Sequence, residues 1–417
     1  MQKGDEGTRN RDEIGLKRLQ ETPYLNKTEK GRQVQSLFSF SAFHFLDDGF
    51  SDSLYLLLPF IAAELNLSLS QVGLLKGVSS SMSLLQFPLS LLGERIGELT
   101  VILTGTFGLA GGFLIMSKVY TFPAILLSLM FAKGIAAGQH GLGSSILSRV
   151  FEISGRRTAM GTYNFSGDMG KVCLPFLVAV MISLWDWRQA VFLLSLGGLL
   201  AGAILWALVR KEREVHPLPQ PREEIVLEGG GWGIHNRGSF SALLTIGVID
   251  ISTRAALLTF LPFLLLQKEI PGSQVSFALT LIFAGGAVGK FICGVLAERL
   301  GIIPMVVGTE VLTAAGILSL TFSSPSAIWI ILPFIGIVLN GTSSVLYATV
   351  AEIISPKARS RGYGLYYAIT LGCGAISPIF FGFLAEFLGL SLTIMSTALL
   401  VLFTLPLSRY LKRMDSL

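Results

Sequence analysis

Glu94-Arg95-Ile96-Gly97 returns, with one substitution, as Glu298-Arg299-Leu300-Gly301, and each copy closes an apolar run of membrane-crossing length. Working outward at an offset of about 203 residues, Asp47 and Pro59 recur as Asp250 and Pro262, Gln71 as Gln274, and Gly138 as Gly341. Arg156 and Gly161 recur as Arg359 and Gly364, and Pro175 as Pro378. Apolar chains repeat Gly and Leu by coincidence; Asp, Gln and Arg in one register point to duplication. Weak internal symmetry between two sets of apolar segments is the mark of a two-halved membrane transporter.

Composition supports this reading. The chain is 51% hydrophobic and 14% charged, with 46 glycines in 417 residues, whereas soluble domains carry roughly 25% charged residues. Runs of about 20 residues poor in charge, enough for a helix to cross about 30 Å of hydrocarbon, recur to the C-terminus. Twelve are predicted, from 36–62 to 390–410, giving an all-α membrane protein of two six-helix bundles. The net charge of +5 is distributed as a membrane topology rather than as a nucleic-acid surface. With the N-terminus inside, the inner loops hold thirteen Lys and Arg, and the outer loops only Lys118, Arg188 and Lys268. Basic short loops stay cytoplasmic, so both termini are expected there.

The predicted organisation is a disordered tail over 1–35, a bundle over 36–210, a cytoplasmic linker over 211–238, a second bundle over 239–412 and a short end over 413–417. The tail lacks the apolar core of a secretory signal. The linker holds Pro217, Pro219, Pro221 and Gly229-Gly230-Gly231, a composition that cannot bury an apolar face. Cys173, Cys293 and Cys373 fall inside predicted helices without metal-type spacing, so neither disulfides nor a metal site are expected. Pro59, Pro175, Pro262 and Pro378 lie within predicted helices, where they permit either a static kink or a moving bend.

The charges inside the spans carry the functional reading. Lys76, Lys133, Lys171, Arg254 and Lys290 face Asp47, Asp48, Asp52, Asp168, Asp250 and Glu310. A charge at the centre of a membrane helix costs roughly 2.5–3.5 kcal/mol on insertion scales, so each demands a partner or a wet cavity. His44, Asp48, Asp52, Tyr55 and Pro59 follow steps of four, four, three and four along one helix face. His44, Asp48, Asp52 and Asp168 are therefore the candidates for proton coupling; permanent pairing of Asp48 or Asp52 with Lys76 or Lys171 is the alternative. Asp168 and Lys171, three apart, and Asp250 and Arg254, four apart, can each neutralise one another, or an anionic substrate can compete for the base. Glu310 is read as structural.

The same residues resemble the major facilitator superfamily over about 36–412. The family's loop hallmark, with an acid followed by Arg and Gly, is matched by Glu94, Arg95 and Gly97 after Ser90, and by Glu298, Arg299 and Gly301 after Gly294; Glu98 stands where the family usually has a base. Trp187-Arg188-Gln189-Ala190-Val191-Phe192 is similar to the family's start of helix six. Lys133 and Gly138 stand on helix four where many proton-driven antiporters of the family place Arg and Gly, though five residues apart instead of four. Phe43-His44-Phe45-Leu46-Asp47-Asp48-Gly49, Gly138-Gln139-His140 and Gly161-Thr162-Tyr163-Asn164-Phe165 look like bacterial members of the fosmidomycin-resistance type. The resemblance implies a central cavity between the bundles and a bacterial inner membrane location. It adds Gln139, His140, Tyr163, Asn164, Asn340 and Tyr366 to Asp47, Tyr55, Lys76, Lys133, Lys171, Asp250 and Arg254 as cavity residues. It makes Glu94, Arg95, Gly97, Glu298, Arg299, Gly301, Arg156 and Arg359 gating-loop residues.

Other function classes fit poorly. The nearest approach to a phosphate-binding loop, Ala284 to Phe291, lacks the first Gly and the final Ser or Thr. Four His and three scattered Cys offer no catalytic cluster. The expectation is a non-enzymatic, cofactor-free and monomeric secondary transporter in the lipid bilayer, without nucleic-acid partners. It would export a small organic compound or drug against protons by alternating access, or import a small anionic metabolite with them.

Overall fold

The computed structural model describes residues 27–151, 155–215, 234–355 and 359–411. Within them the first half runs α1 (Lys27–Leu65), α2 (Leu69–Ser81), a 3-10 turn (Met82–Leu85), α3 (Gln86–Ile96), α4 (Glu98–Met116), α5 (Phe122–Ala136), α6 (Gln139–Val150), α7 (Arg156–Leu184) and α8 (Trp187–Val215). The second half runs α9 (Arg237–Gln267), α10 (Gly272–Leu300), α11 (Ile302–Phe322), α12 (Pro325–Ile353), α13 (Arg359–Leu388), α14 (Leu390–Leu402) and α15 (Thr404–Ser408). Among the described residues no strand forms, and ten helices are long and apolar enough to cross a membrane. α1 and the rod made by α2, the 3-10 turn and α3 supply the two further predicted spans. Pro59, Pro175, Pro262 and Pro378 all lie inside helices.

The expected boundaries shift where charged residues prolong a helix past the membrane. α1 begins at Lys27 rather than near 36, so the predicted disordered tail is too long at its C-terminal side. Lys and Glu are good helix formers, and Gln33 donates to the Val150 carbonyl at 3.2 Å, tying the extension to the end of α6. α8 likewise continues through charged residues to Val215, and α9 begins at Arg237 with Asn236 as its N-cap, accepting from the Ser239 amide at 3.0 Å. Residues 1–26, most of the linker and 412–417 lie outside the described residues.

Helix pairing repeats between the halves. α1 packs on α7 as α9 packs on α13, α4 on α5 as α11 on α12, and α4 on α8 as α11 on α14. The turns that carry the repeated sequence are also equivalent: Gly97 (φ 97°) and Gly301 (φ 88°) each precede the next helix. Only glycine takes that φ without steric cost, so the motif ends in Gly in both copies.

The hydrophobic cores show how the halves meet. At the end away from the termini one continuous core joins Leu54, Ile61 and Val72 to Leu257, Leu261 and Val275. Toward the terminus-bearing end it divides into two, one around Phe40, Ile102, Ile146 and Val209, the other around Leu243, Val306, Leu346 and Val350. The halves are thus closed at one end and parted at the other. At the closed end α2 lies on α13 backbone to backbone, because a Cβ at Gly73 would strike the Pro378 carbonyl and one at Gly77 the Ile379 side chain and Ala375 carbonyl. The Ser70 amide donates across the same seam to Glu386 Oε1 at 3.2 Å.

A valine at Gly73 should therefore hold this seam open. In a background without Cys173, Cys293 and Cys373, oxidative cross-linking of Ser70→Cys with Glu386→Cys should be efficient, and Gly73→Val should cut its rate at least about fivefold. An unchanged rate would mean that this glycine contact does not close the end.

Candidate functional site

A cavity of about 770 Å3 lies where the two cores separate, within the range of about 300–1,000 Å3 usual for small-molecule sites. Its first-half wall carries His44, Asp47, Asp48, Asp52 and Tyr55 from α1, Lys76 from α2, Lys133 from α5, His140 from α6, and Tyr163, Asn164, Asp168 and Lys171 from α7. Its second-half wall carries Arg254 from α9, Lys290 from α10 and Asn340 from α12. The four- and three-residue steps along α1 thus put one stripe into the cavity, as the helical period requires.

The charges form a connected chain. Lys290 from the second half pairs with Asp168 Oδ1 of the first. Lys171 lies 3.6 Å from that same oxygen and 2.9 Å from Asp48 Oδ2. Asp48 also lies 3.3 Å from His44 Nε2 and 3.4 Å from His140 Nε2, and His140 Nε2 lies 3.3 Å from Asp47 Oδ2. The pairing of Asp168 with Lys171 is present but shared, and Asp48 does pair with Lys171.

One proton position follows from hydrogen-bond chemistry. His44 Nδ1 lies 2.8 Å from the Tyr163 carbonyl oxygen, which can only accept. Nδ1 therefore holds hydrogen, and in a neutral ring Nε2 is a lone pair. A lone pair facing the Asp48 carboxylate at 3.3 Å is repulsive, so this contact is a ready place for one more proton, on Nε2 or on Oδ2. The Tyr163 ring stacks on His44 (centroids 4.2 Å) and holds it in place. His44, Asp48 and His140 also bring three potential metal ligand atoms within 4.8 Å of one another. The Lys171 ammonium already neutralises Asp48 there and would repel a metal ion.

Three expected cavity residues do not line it. Gln139 is buried and donates to the Thr106 hydroxyl at 3.1 Å and towards the Ile102 carbonyl, so it joins α6 to α4. Tyr366 is buried because the symmetry mate of His44 is Gly247, and the Tyr366 hydroxyl fills the space that a larger residue would take. Asp250 is buried behind the wall and makes no ion pair within 4 Å of Arg254; the guanidinium turns instead to Asn340 Oδ1 (3.3 Å) and Ser343 Oγ (3.4 Å). Glu310 is buried on α11 and one of its oxygens lacks a hydrogen-bond partner. Sequence reading passes over Ser343, Tyr347, Phe283 and Tyr367, which line the second-half wall. The spacing of Asn340, Ser343 and Tyr347, three and four apart, is the available signal.

At the terminus-bearing end Glu94, Arg95, Arg156, Glu298 and Arg299 are exposed, and the Arg359 side chain lies outside the described residues. Glu98, the acid in the place of a base, pairs with Arg149 and so ties the start of α4 to the end of α6. At the opposite end Arg188 donates to Glu64 Oε1 (2.7 Å) and to the carbonyls of Ser117 (3.2 Å) and Val119 (2.8 Å), while Trp187 Nε1 donates to Glu64 Oε2 (2.7 Å). Past the last apolar turn of α1, these bonds from Arg188 first and Trp187 second hold the Glu64 carboxyl below the usual carboxylate range.

Comparison with known proteins gives a concordant picture. The family model described as Major Facilitator Superfamily matches twice, over residues 37–244 and 243–415. An uncharacterized MFS-type transporter of Methanocaldococcus jannaschii is 22% identical over 77% of this chain and 83% of its own length. A protein of Cupriavidus pinatubonensis named as a probable 4-methylmuconolactone transporter is 22% identical over 80% of each chain. Among solved structures, a bacterial homolog of the human lysosomal transporter Spinster, in an inward-facing and unoccupied conformation, superimposes with a TM-score of 0.74. It is 16% identical, over 93% of this chain and 99% of that one. A point mutant of the nucleoside transporter NupG gives 0.74 at 13% identity, over 91% of this chain and 100% of that one.

The Glu64 contact has a definite pH signature. A lowered carboxyl stabilises the fold fully above its unfolded value of about 4.3, and the contribution disappears as pH falls through the lower folded value. Thermal unfolding of Glu64→Gln should therefore lie below the parent at pH 7, with the gap shrinking below about pH 4. A constant gap would show that the carboxylate charge is not what Arg188 holds.

Proposed function

The chain belongs to the major facilitator superfamily, whose fold is that of a non-enzymatic membrane transporter, and from that premise we propose that it moves a small organic anion together with protons by alternating access. The observation that carries this is the charge of the cavity wall, where five Lys and Arg stand against four Asp. Lys171 and Lys290 are engaged by Asp48 and Asp168. Lys76, Lys133 and Arg254 have no carboxylate within ion-pair distance among the described residues, so the wall presents positive charge to its contents. The relative named for 4-methylmuconolactone supports a small organic substrate.

Proton coupling follows from the chain of charges. A proton at the His44–Asp48 contact neutralises Asp48 and frees Lys171 for Asp168, in competition with Lys290. The tie between the halves is thereby weakened when a proton is present. Conversely, moving an uncompensated charge through a dry intermediate costs roughly 2.5–3.5 kcal/mol, so alternation with the anion but without the proton is slowed about 100-fold. A monoanion and one proton cross as a neutral pair. We assign Asp52 to the same network, and Glu94, Arg95, Gly97, Glu298, Arg299, Gly301, Arg156 and Arg359 to the turns that must rearrange when the open end closes. The excess of inner-loop Lys and Arg supports a cytoplasmic placement of the termini, here in a bacterial plasma membrane and in a monomer. Export, which rests on the fosmidomycin-resistance likeness, would use the same network in the opposite sense.

The test is accumulation of labelled small carboxylates by proteoliposomes, corrected against empty liposomes. An acidic exterior should accelerate uptake at least about tenfold. Asp48→Asn should abolish the response to the gradient and leave counterflow exchange within about threefold of the parent. Asp48→Asn that still follows the gradient would remove this network from coupling. Accumulation of organic cations instead would overturn the anion reading, and anion expulsion under the same gradient would favour export.

A further inference from the structure

The two walls of the cavity have diverged, and the divergence bears on what the substrate looks like. Register across the duplication places Arg254 opposite Ser51, Phe283 opposite Ser80, Asn340 opposite Ala137, Ser343 opposite His140 and Tyr347 opposite Ser144. The first half holds His44, Asp48, Asp52 and His140 where the second has Gly247, Ile251, Ala255 and Ser343, and the second has one guanidinium and two rings where the first has Ser. Most of the proton chemistry thus falls on the first half and most of the recognition on the second.

We propose, on the basis of the organic-anion reading above, that the substrate is a flat monocarboxylate whose acid group docks on Arg254 and whose ring lies against Tyr55, Phe283 and Tyr347. Arg254 Nη1 donates to Asn340 Oδ1 at 3.3 Å and Ser343 Oγ at 3.4 Å, the Tyr347 hydroxyl also meets the guanidinium, and all three partners are neutral. A guanidinium has five N–H donors in one plane. The edge left over matches a planar carboxylate in two parallel hydrogen bonds, a geometry that a single ammonium cannot provide. Asn340 reaches this place because residue 286 is glycine, since a Cβ there would collide with the Asn340 amide.

The charge balance favours a substrate of one negative charge, because five Lys and Arg stand against four Asp in the wall and one positive charge is left over. Lys290 and Lys171 are committed to carboxylates, and the Lys76 ammonium stands 3.9 Å over the Tyr55 ring. A phosphate or dicarboxylate would carry more negative charge than the wall leaves uncompensated.

The rings supply shape. Tyr55 and Phe283 come from opposite halves with centroids 6.2 Å apart at 47°, and Tyr347 lies 5.1 Å from Tyr367 at 33°. All four line the cavity. Aromatic faces and edges favour a second ring in offset or edge-on contact over a saturated ring of equal area. Because Tyr55 and Phe283 belong to different halves, a ring held by both senses whether the halves are together.

Binding of three probes to the purified protein, followed by calorimetry, tests this. Benzoate and cyclohexanecarboxylate share charge and size but differ in flatness, and benzamide is flat but neutral. Benzoate should bind at least about tenfold tighter than cyclohexanecarboxylate, and benzamide should not bind measurably. Tyr347→Leu should narrow the difference between the two acids to less than about threefold. Arg254→Gln should weaken both acids by a similar factor, at least about tenfold. Equal affinity of the two acids in the parent would overturn the ring assignment while leaving the anion reading in place. Benzamide binding as tightly as benzoate would overturn the anion reading itself, and no binding of either acid would overturn both.

Discussion

Charge buried within a membrane is tolerated only where another charge or water meets it, and in this chain that requirement organises the centre of the molecule. Asp48, Lys171, Asp168 and Lys290 satisfy one another in sequence, and the last link crosses from one bundle to the other. Each such charge left alone would cost roughly 2.5–3.5 kcal/mol, a large part of a stability of about 5–15 kcal/mol. The halves are therefore joined by polar as well as apolar forces. The apolar seam of α2 with α13 closes one end by close backbone approach, while the ion pairs act in the cavity.

Duplication supplied the frame, and divergence supplied the chemistry. Gly97 and Gly301 keep the same turn, and the helix pairings repeat. Yet the place of His44 is taken by Gly247 in the second half, and Tyr366 fills the space there, whereas Tyr163 holds His44. One tyrosine orients a histidine in the cavity wall, and its mate is packing.

These cases show what sequence can disclose. The twelve spans, the two bundles and the polar stripe of α1 are legible because helical period, apolar length and repeat register are properties of the chain alone. Gln139 and Tyr366 read as cavity residues through the family resemblance, and Asp250 through its charge within a span. Whether a polar side chain turns to the cavity or to a neighbouring helix depends on packing partners such as Thr106 and Gly247, which are remote in sequence. The chain from Asp48 to Lys290 is legible only as a set of charges requiring partners. That Lys290 crosses to Asp168 depends on how the bundles dock, and that Arg254 turns from Asp250 to Asn340 and Ser343 depends on its packing against α12. The start of α1 at Lys27 is invisible to hydropathy because a helix in water leaves no apolar signal.

The central claim is that proton occupancy at the His44–Asp48 contact, transmitted through Lys171 to the Asp168–Lys290 pair, sets how far the halves stand apart at the terminus-bearing end. Ile96 and Leu300 are exposed there, one on each half, and spin labels at Ile96→Cys and Leu300→Cys report their separation by pulsed electron resonance. The parent should show two distance populations whose ratio changes as pH is lowered, and Asp48→Asn and Asp168→Asn should each fix that ratio. The same pH response in all three proteins would contradict the account.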